Sequence, residues 1–264
     1  MEQIKELRER TGAGMVDCKK ALDESGGDLE KAIEILRKKG ITKAAKRSER
    51  EASEGVIKLA LSDAQDEGFL IELNAETDFV VRNEKFQSLA DSILAVAQKN
   101  KVNNTEDLLK MELDGHSIAD QISNLSGVIG EKIALGRVAY ISGATVSAYS
   151  HLGGRIGVLV ALNQANKKEL ADDIAMHIAA ANPRYLNSSE VEASEIEKEK
   201  EIYREQLLKE GKPEAMIENI LQGKMKKYYS EVCLLDQEYI KDDKKSVKDV
   251  LAGVEVEKFF RCSL

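Results

Sequence analysis

The sequence predicts an α+β protein: a small N-terminal three-helix module, a core of two α+β subdomains with antiparallel sheets, and an inserted antiparallel coiled-coil hairpin. Three observations predict it. Apolar residues recur at helical spacing from Ile4 to Leu36 and change to alternation after Gly55. A hairpin followed by an amphipathic helix occurs twice, the signature of sheets with helices on one face. From Glu190 to Lys227 the composition turns to Glu and Lys, with one apolar stripe on each side of a Gly211-Lys212-Pro213 turn.

The 264 residues are 42% hydrophobic and 33% charged, an ordinary balance for a globular chain with one large core or two modest ones. A net charge of -8 argues against a surface that grips nucleic acid or anionic lipid throughout. Cys18, Cys233 and Cys262 are an odd number, widely spaced and without metal-ligand spacing, so free thiols in a reducing compartment are expected. No apolar run approaches the roughly 20 residues needed to span a bilayer. The first residues lack a signal-peptide core and the character of a transit peptide. A cytoplasmic protein is expected.

In chain order, Ile4 and Leu7 give the apolar edge of a first helix ending at Thr11-Gly12-Ala13-Gly14. Val16, Cys18, Ala21 and Leu22 build a second, stopped by Gly26-Gly27. Asp28 is placed to cap a third, whose inner face is Leu29, Ala32, Ile33 and Leu36 and whose end is expected at Gly40. So small a bundle, residues 1–40, suits docking better than catalysis. The stretch Arg37 to Arg50 is the most basic in the chain. Without interleaved aromatics it favours a solvated linker, assigned to 41–54, over a nucleic-acid contact.

Val56-Ile57-Lys58-Leu59-Ala60-Leu61 and Phe69-Leu70-Ile71-Glu72-Leu73 make a hairpin, and Phe86, Leu89, Ala90, Ile93, Leu94 and Ala97 trace a helix after it. A further helix closes at Ile129-Gly130 and a strand returns at Arg137 to Ile141, completing a subdomain over 55–140. A second hairpin turns at Gly153-Gly154, and Leu170, Ala171, Ile174, His177 and Ile178 form its helix, giving a second subdomain over 141–187 and 228–264 around the hairpin insertion at 188–227. The groove between the two subdomains is expected to be a binding surface.

Thr77-Asp78-Phe79-Val80 stands between the first hairpin and its helix. An aromatic at such a junction is either a core plug over the end of a sheet or an exposed apolar finger for a partner's pocket, and the pattern admits both. No phosphate-binding loop, nucleophile elbow or zinc-protease motif is present. Of the three histidines, His177 lies on an apolar helix face, and His151 stands at a hairpin turn with no spacing that builds a catalytic triad. A binding protein is favoured over an enzyme, with no catalytic residue, metal or cofactor expected.

Leu7-Arg8-Glu9-Arg10-Thr11-Gly12-Ala13-Gly14-Met15, Asp17-Cys18-Lys19-Lys20-Ala21-Leu22, Thr77-Asp78-Phe79-Val80, Arg155-Ile156-Gly157-Val158-Leu159-Val160 and Ala175-Met176-His177 resemble, in order and spacing, the bacterial translation elongation factor Ts family. The likeness covers nearly the whole chain. It implies a guanine-nucleotide exchange factor that binds elongation factor Tu in its GDP-bound and nucleotide-free forms, as a heterodimer or a dimer of heterodimers, without chemical catalysis and without direct contact to nucleic acid or membrane. The resemblance makes the N-terminal bundle a ubiquitin-associated-like docking module. It places Thr77, Asp78, Phe79 and Val80 in the turn that displaces magnesium from the partner's nucleotide. By the same likeness Met15, Val16 and Lys19 form the N-terminal contact, Ile129, Gly130 and His151 contact through the core, and Val232 contacts just after the coiled coil. Two departures stand out: Val16 replaces a frequent second Met, and the chain stops at Phe259 to Leu264 where many relatives continue. The alternative from another class is a tRNA- or ribosome-binding accessory module that uses residues 37–50.

Overall fold

The structure, a computed structural model, describes residues 2–45, 47 and 49–264; Lys46 and Ser48 of the basic stretch lie outside the described residues. Helices α1 (Glu2–Thr11), α2 (Met15–Ser25) and α3 (Leu29–Ala45) come first. Then follow β1 (Glu54–Leu61), β2 (Glu67–Ala75), the single turn α4 (Asp78–Val81), α5 (Glu84–Asn100), α6 (Thr105–Lys110), the short pair β3 (Glu112–Leu113) and β4 (His116–Ser117), α7 (Ile118–Ile129) and β5 (Ile133–Ser142). The chain continues through β6 (Thr145–His151), β7 (Ile156–Leu162), α8 (Lys168–Ala181), α9 (Ala193–Lys209), α10 (Glu214–Val232), β8 (Glu238–Tyr239), β9 (Asp242–Ser246), α11 (Val247–Leu251) and β10 (Val256–Ser263). The α+β class expected from the sequence is the one observed.

Two antiparallel three-stranded sheets dominate, in the orders β1-β2-β5 and β10-β7-β6. Side chains alternate across a strand, so the central strands show where each face goes. On β2, Phe69, Ile71 and Leu73 pack with Phe86, Ala90 and Ile93 of α5, while Leu70 points the other way. On β7, Val158, Val160 and Leu162 pack with Ile174 and Ile178 of α8, while Leu159 and Ala161 meet Leu70, Ile57 and Ile141 of the first sheet. The layers therefore run helix, sheet, sheet, helix. The uninterrupted apolar run of β7 reflects burial on both faces.

This overturns one expectation. The space between the two sheets is a packed core and not a groove, because Ile57, Leu70, Val146, Leu159 and Cys262 fill it. Gly157 sets the approach: a Cβ there would lie 2.4 Å from Ile57 Cγ2, which only a bare backbone tolerates. At the edge of this layer the buried Glu72 receives Arg137 Nε at 2.6 Å and Asn74 Nδ2 at 2.9 Å. Burial raises the Glu72 carboxyl, but the hydrogen bonds from Arg137 and Asn74 outweigh it and hold the group below the usual carboxylate range.

The N-terminal bundle closes on Leu7, Cys18, Ala21, Leu22 and Ala32. Its third helix does not stop at Gly40 as the sequence suggested; it runs on to Ala45, so the expected linker begins inside α3. Gly40 marks a close crossing with α7, and the glycine that permits it is the one on α7, since a Cβ on Gly40 itself would meet nothing nearer than 3.9 Å. A Cβ on Gly127 of α7 would sit 2.6 Å from Gly40 Cα and 3.0 Å from its carbonyl carbon, so the two helices cross backbone to backbone at this glycine pair. Three cations of the basic stretch are engaged as well: Arg37 Nη2 with Asp120 at 3.1 Å, Lys39 with Glu24 at 2.6 Å, and Arg50 with Glu76 at 3.2 Å. The bundle is thereby fixed to the first subdomain.

Helices α9 and α10 run antiparallel, with Arg204 meeting Glu218 near the turn and Glu195 meeting Tyr228 at the base. Leu207, Ile217, Leu221 and Met225 are buried along them. At the base Glu195 accepts from the Tyr185 and Tyr228 hydroxyls and pairs with Arg184 at 2.9 Å, which ties the arm to the loop after α8. Cys18, Cys233 and Cys262 are free thiols, each buried in a different apolar cluster. Among the described residues no helix is long and apolar enough to cross a membrane.

Candidate functional site: an exposed finger and the face around it

The finger is built by a clamp. Thr77 has extended backbone and caps α4, its hydroxyl accepting from Val80 N at 3.5 Å. Glu131, just beyond the end of α7, accepts from Thr77 N at 3.0 Å and from Thr77 Oγ1 at 2.8 Å. Glu76 accepts from Lys132 N at 2.6 Å, and that bond, reinforced by Arg50, holds its carboxyl below the ordinary range. A turn of four residues cannot hold itself in water, so this shape depends on α7 and the residues after it.

Within the turn, consecutive residues point about 100° apart, and Val80 and Phe79 divide accordingly. Val80 is buried in the α5 core, whereas Phe79 is 79% exposed. Of the two possibilities the sequence left open, the core plug is thus excluded. The plug over the sheet end is Val80, one residue on. Asp78 pairs with Arg82 at 2.7 Å and stays half exposed.

Other residues singled out by the resemblance lie on elements that adjoin the finger's surroundings. The first turn of α5 begins at Glu84, close behind the finger, and Lys85 reaches the α1–α2 turn: a Cβ on Gly12 would lie 2.2 Å from Lys85 Nζ. Met15 and Val16, 57% and 67% exposed, and the exposed Lys19 follow that turn on the outer face of α2, opposite its buried Cys18, Ala21 and Leu22. Ile129 and Gly130 end α7 immediately before Glu131, so the clamp sets them beside the finger. The β6–β7 turn leans on β1, with Ile57 N donating to Gly154 O at 2.8 Å and Arg155 pairing with Glu54 at 2.9 Å. Glu54 is opposite Ala75, two residues before Thr77, which puts His151 at the finger end of the sheets. The exposed His151 stacks on Tyr149, whose hydroxyl lies 3.1 Å from Nδ1. Val232 stands apart: it is half buried at the base of the arm, and its carbonyl accepts from Arg184 N and Tyr185 N.

Sequence reasoning missed Glu131 and Leu152. Glu131 shapes the finger from 54 residues away. Its only local signal is a carboxylate directly after a helix-ending glycine. Leu152 is 65% exposed at a left-handed φ of 52°, an unusual backbone for a leucine, between His151 and two glycines. His177, by contrast, is buried between Gln237 at 2.9 Å and Ile240 N, and burial lowers its pKa. Among the described residues no group of three or more His, Cys, Asp and Glu is arranged to hold a metal ion.

The clamp makes a direct prediction. Glu131→Ala removes two hydrogen bonds to a charged acceptor and should speed amide hydrogen exchange at Val80 and Val81 by about tenfold, equivalent to about 1.4 kcal/mol of local stability. Unchanged protection at these amides would show that the turn is held by other means.

The family described as Elongation factor TS matches residues 76–264, a span that begins at the finger and takes in α5 to α11, β5, the whole second sheet and the arm, while β1 and β2 precede it. A protein named Elongation factor Ts from Chlorobium phaeobacteroides is 50% identical over 257 residues, covering 94% of this chain and 89% of its own. That of a Nitratiruptor species is 49% identical over 258 residues, 94% of this chain and 85% of its own. That of Prosthecochloris aestuarii is 45% identical over 280 residues, covering 100% of this chain and 97% of its own. With such identity along its whole length, and a family match running from the finger to the last strand, the chain belongs to the elongation factor Ts family of translation elongation factors.

Proposed function

We propose that this protein is a guanine-nucleotide exchange factor that binds elongation factor Tu carrying GDP, disturbs the magnesium that bridges protein and diphosphate, and so promotes GDP release. The observation that carries the proposal is the bare Phe79 ring on a turn clamped by Glu131. Magnesium is held by ligands that must stay in place, so a wedge that shifts them weakens the nucleotide without touching it. Phe79 is the wedge, and Asp78 beside it brings a carboxylate to the magnesium shell. The protein's own chemistry is binding only.

Magnitudes decide how the work is divided. Weakening GDP by about 10⁴-fold needs a differential affinity of roughly 5.5 kcal/mol between the two partner states. Burying one Phe supplies about 1.5 to 3 kcal/mol. The remainder falls to Met15, Val16 and Lys19 on the bundle and to Ile129, Gly130 and His151 on the core, with Val232 as a separate contact near the arm. Linkage makes the effect reciprocal, so the nucleotide weakens the factor's hold equally and the complex turns over.

The alternative, a tRNA- or ribosome-binding module working through residues 37–50, is less favoured because Arg37, Lys39 and Arg50 already face carboxylates of this chain. The test is stopped-flow release of a fluorescent GDP from elongation factor Tu. Acceleration that saturates with this protein supports exchange. Release at the spontaneous rate would reject it.

A further inference from the structure

The bundle and the first subdomain do not meet flush. Between α3, the α1–α2 turn and the α5–α7 side of the core lies a cavity of about 370 Å³. That volume is in the range of small-molecule sites, roughly 300 to 1,000 Å³. Its wall is apolar on both sides, with Ile33 and Leu36 from α3 facing Leu89, Leu125 and Val128 from the core.

The charge within it is unbalanced. Arg10, Arg37, Lys39 and Lys85 line the cavity, with His116 and a single carboxylate, Asp17. Arg10 and Lys39 are neutralised by Glu30 and Glu24, both at 2.6 Å. Lys85 has no ion pair among the described residues, although its ammonium is directed inward against Gly12. Arg37 engages Asp120 and His116 through its terminal nitrogens, and its buried Nε has no acceptor. That Nε has no accessible surface, so it is covered by protein and only the charge of the guanidinium is felt in the cavity. The Lys85 ammonium thus stands at the rim of an apolar wall with the Arg37 charge behind it, which is the complement of an organic anion with an apolar body.

We propose that this cavity is a binding site for a small amphipathic anion, its carboxylate, sulfonate or phosphate group held by Lys85 and its apolar body packed between Leu36 and Leu125. Such a ligand touches the bundle and the core at once. It binds better when the two are docked, so its occupancy favours the docked arrangement. The site is separate from the finger, and the inference stands whether or not the exchange proposal does.

The probe is 8-anilinonaphthalene-1-sulfonate, an aromatic body with one anionic group, titrated into the full-length protein and followed by fluorescence. Saturable binding at one site per chain is expected. Lys85→Gln should weaken it by about tenfold, the equivalent of about 1.4 kcal/mol. Leu125→Trp, which fills the cavity, should abolish it. Far-UV circular dichroism of each variant distinguishes loss of the site from loss of the fold. As a second readout that needs no variant, nuclear Overhauser contacts from the bound probe should appear to Leu36 and Leu125 of the unmodified protein. No saturable binding, or saturable binding with contacts elsewhere and indifferent to Lys85→Gln, would overturn the proposal.

Discussion

Under the proposed exchange function, Phe79→Ala is expected to slow stimulated GDP release by roughly ten- to a hundredfold, the range that follows from removing about 1.5 to 3 kcal/mol of aromatic burial in the complex. The melting temperature should not move. The ring is 79% exposed and contributes almost nothing to the fold, so any loss of activity is a loss of contact with the partner. This separation is unusual for a phenylalanine, because truncating a buried one costs about 3 to 5 kcal/mol of stability. Stopped-flow fluorescence on the variant at saturating concentration checks it, with a thermal melt as control. A rate equal to that of the unaltered protein would remove Phe79 from the mechanism. A residual acceleration is still expected, because the proposal assigns the remaining interaction energy to the bundle and the core contacts.

The second large effect is expected at Gly127. An alanine there would place a Cβ 2.6 Å from Gly40 Cα, and the obstacle is backbone on another helix that cannot rotate aside. Helices α3 and α7 must move apart, carrying Arg37 away from Asp120 at the same crossing. Overpacking of this kind costs about 1 to 3 kcal/mol, which for a chain of this size is a fall of several degrees in melting temperature. The bundle carrying Met15, Val16 and Lys19 would lose its fixed relation to the finger, and the radius of gyration from small-angle X-ray scattering should rise. Gly14→Ala is the control, since Gly14 has ordinary extended backbone and open space around it. If Gly127→Ala melts and scatters like the unaltered protein, the glycine crossing does not hold the bundle.

These two sites also mark where the sequence was legible and where it was not. Periodicity was sufficient for the bundle, both hairpins and the helices behind them, because each buries one face that repeats every 2 or 3.6 residues. Gly40 misled because a glycine inside a helix and a glycine that ends one look alike in one dimension, and Gly127, whose missing Cβ lets the two helices touch, lies far along the chain. The basic stretch looked solvated for the same reason, since the carboxylate opposite Arg37 is 83 residues away. The packed interface between the sheets was foreshadowed in Ile156 to Leu162, where an unbroken apolar strand already meant two covered faces. At the finger, sequence alone could not choose between plug and probe. Both side chains needed for either role were present, and Glu131, which decides which one points outward, is remote.

The three cysteines turn the architecture into something that can be timed. Cys18 closes the bundle, Cys233 sits at the foot of the arm, and Cys262 lies between the sheets, and burial pushes the last two thiols up to about 11 and about 12. None is reactive while its surroundings stay shut, since only the thiolate attacks. Under native conditions an alkylating reagent therefore reports three opening equilibria from one chain, and peptide mapping assigns each rate to its module. A bundle that detaches and melts by itself would surrender Cys18 first; one that opens only with the sheets would surrender it together with Cys262.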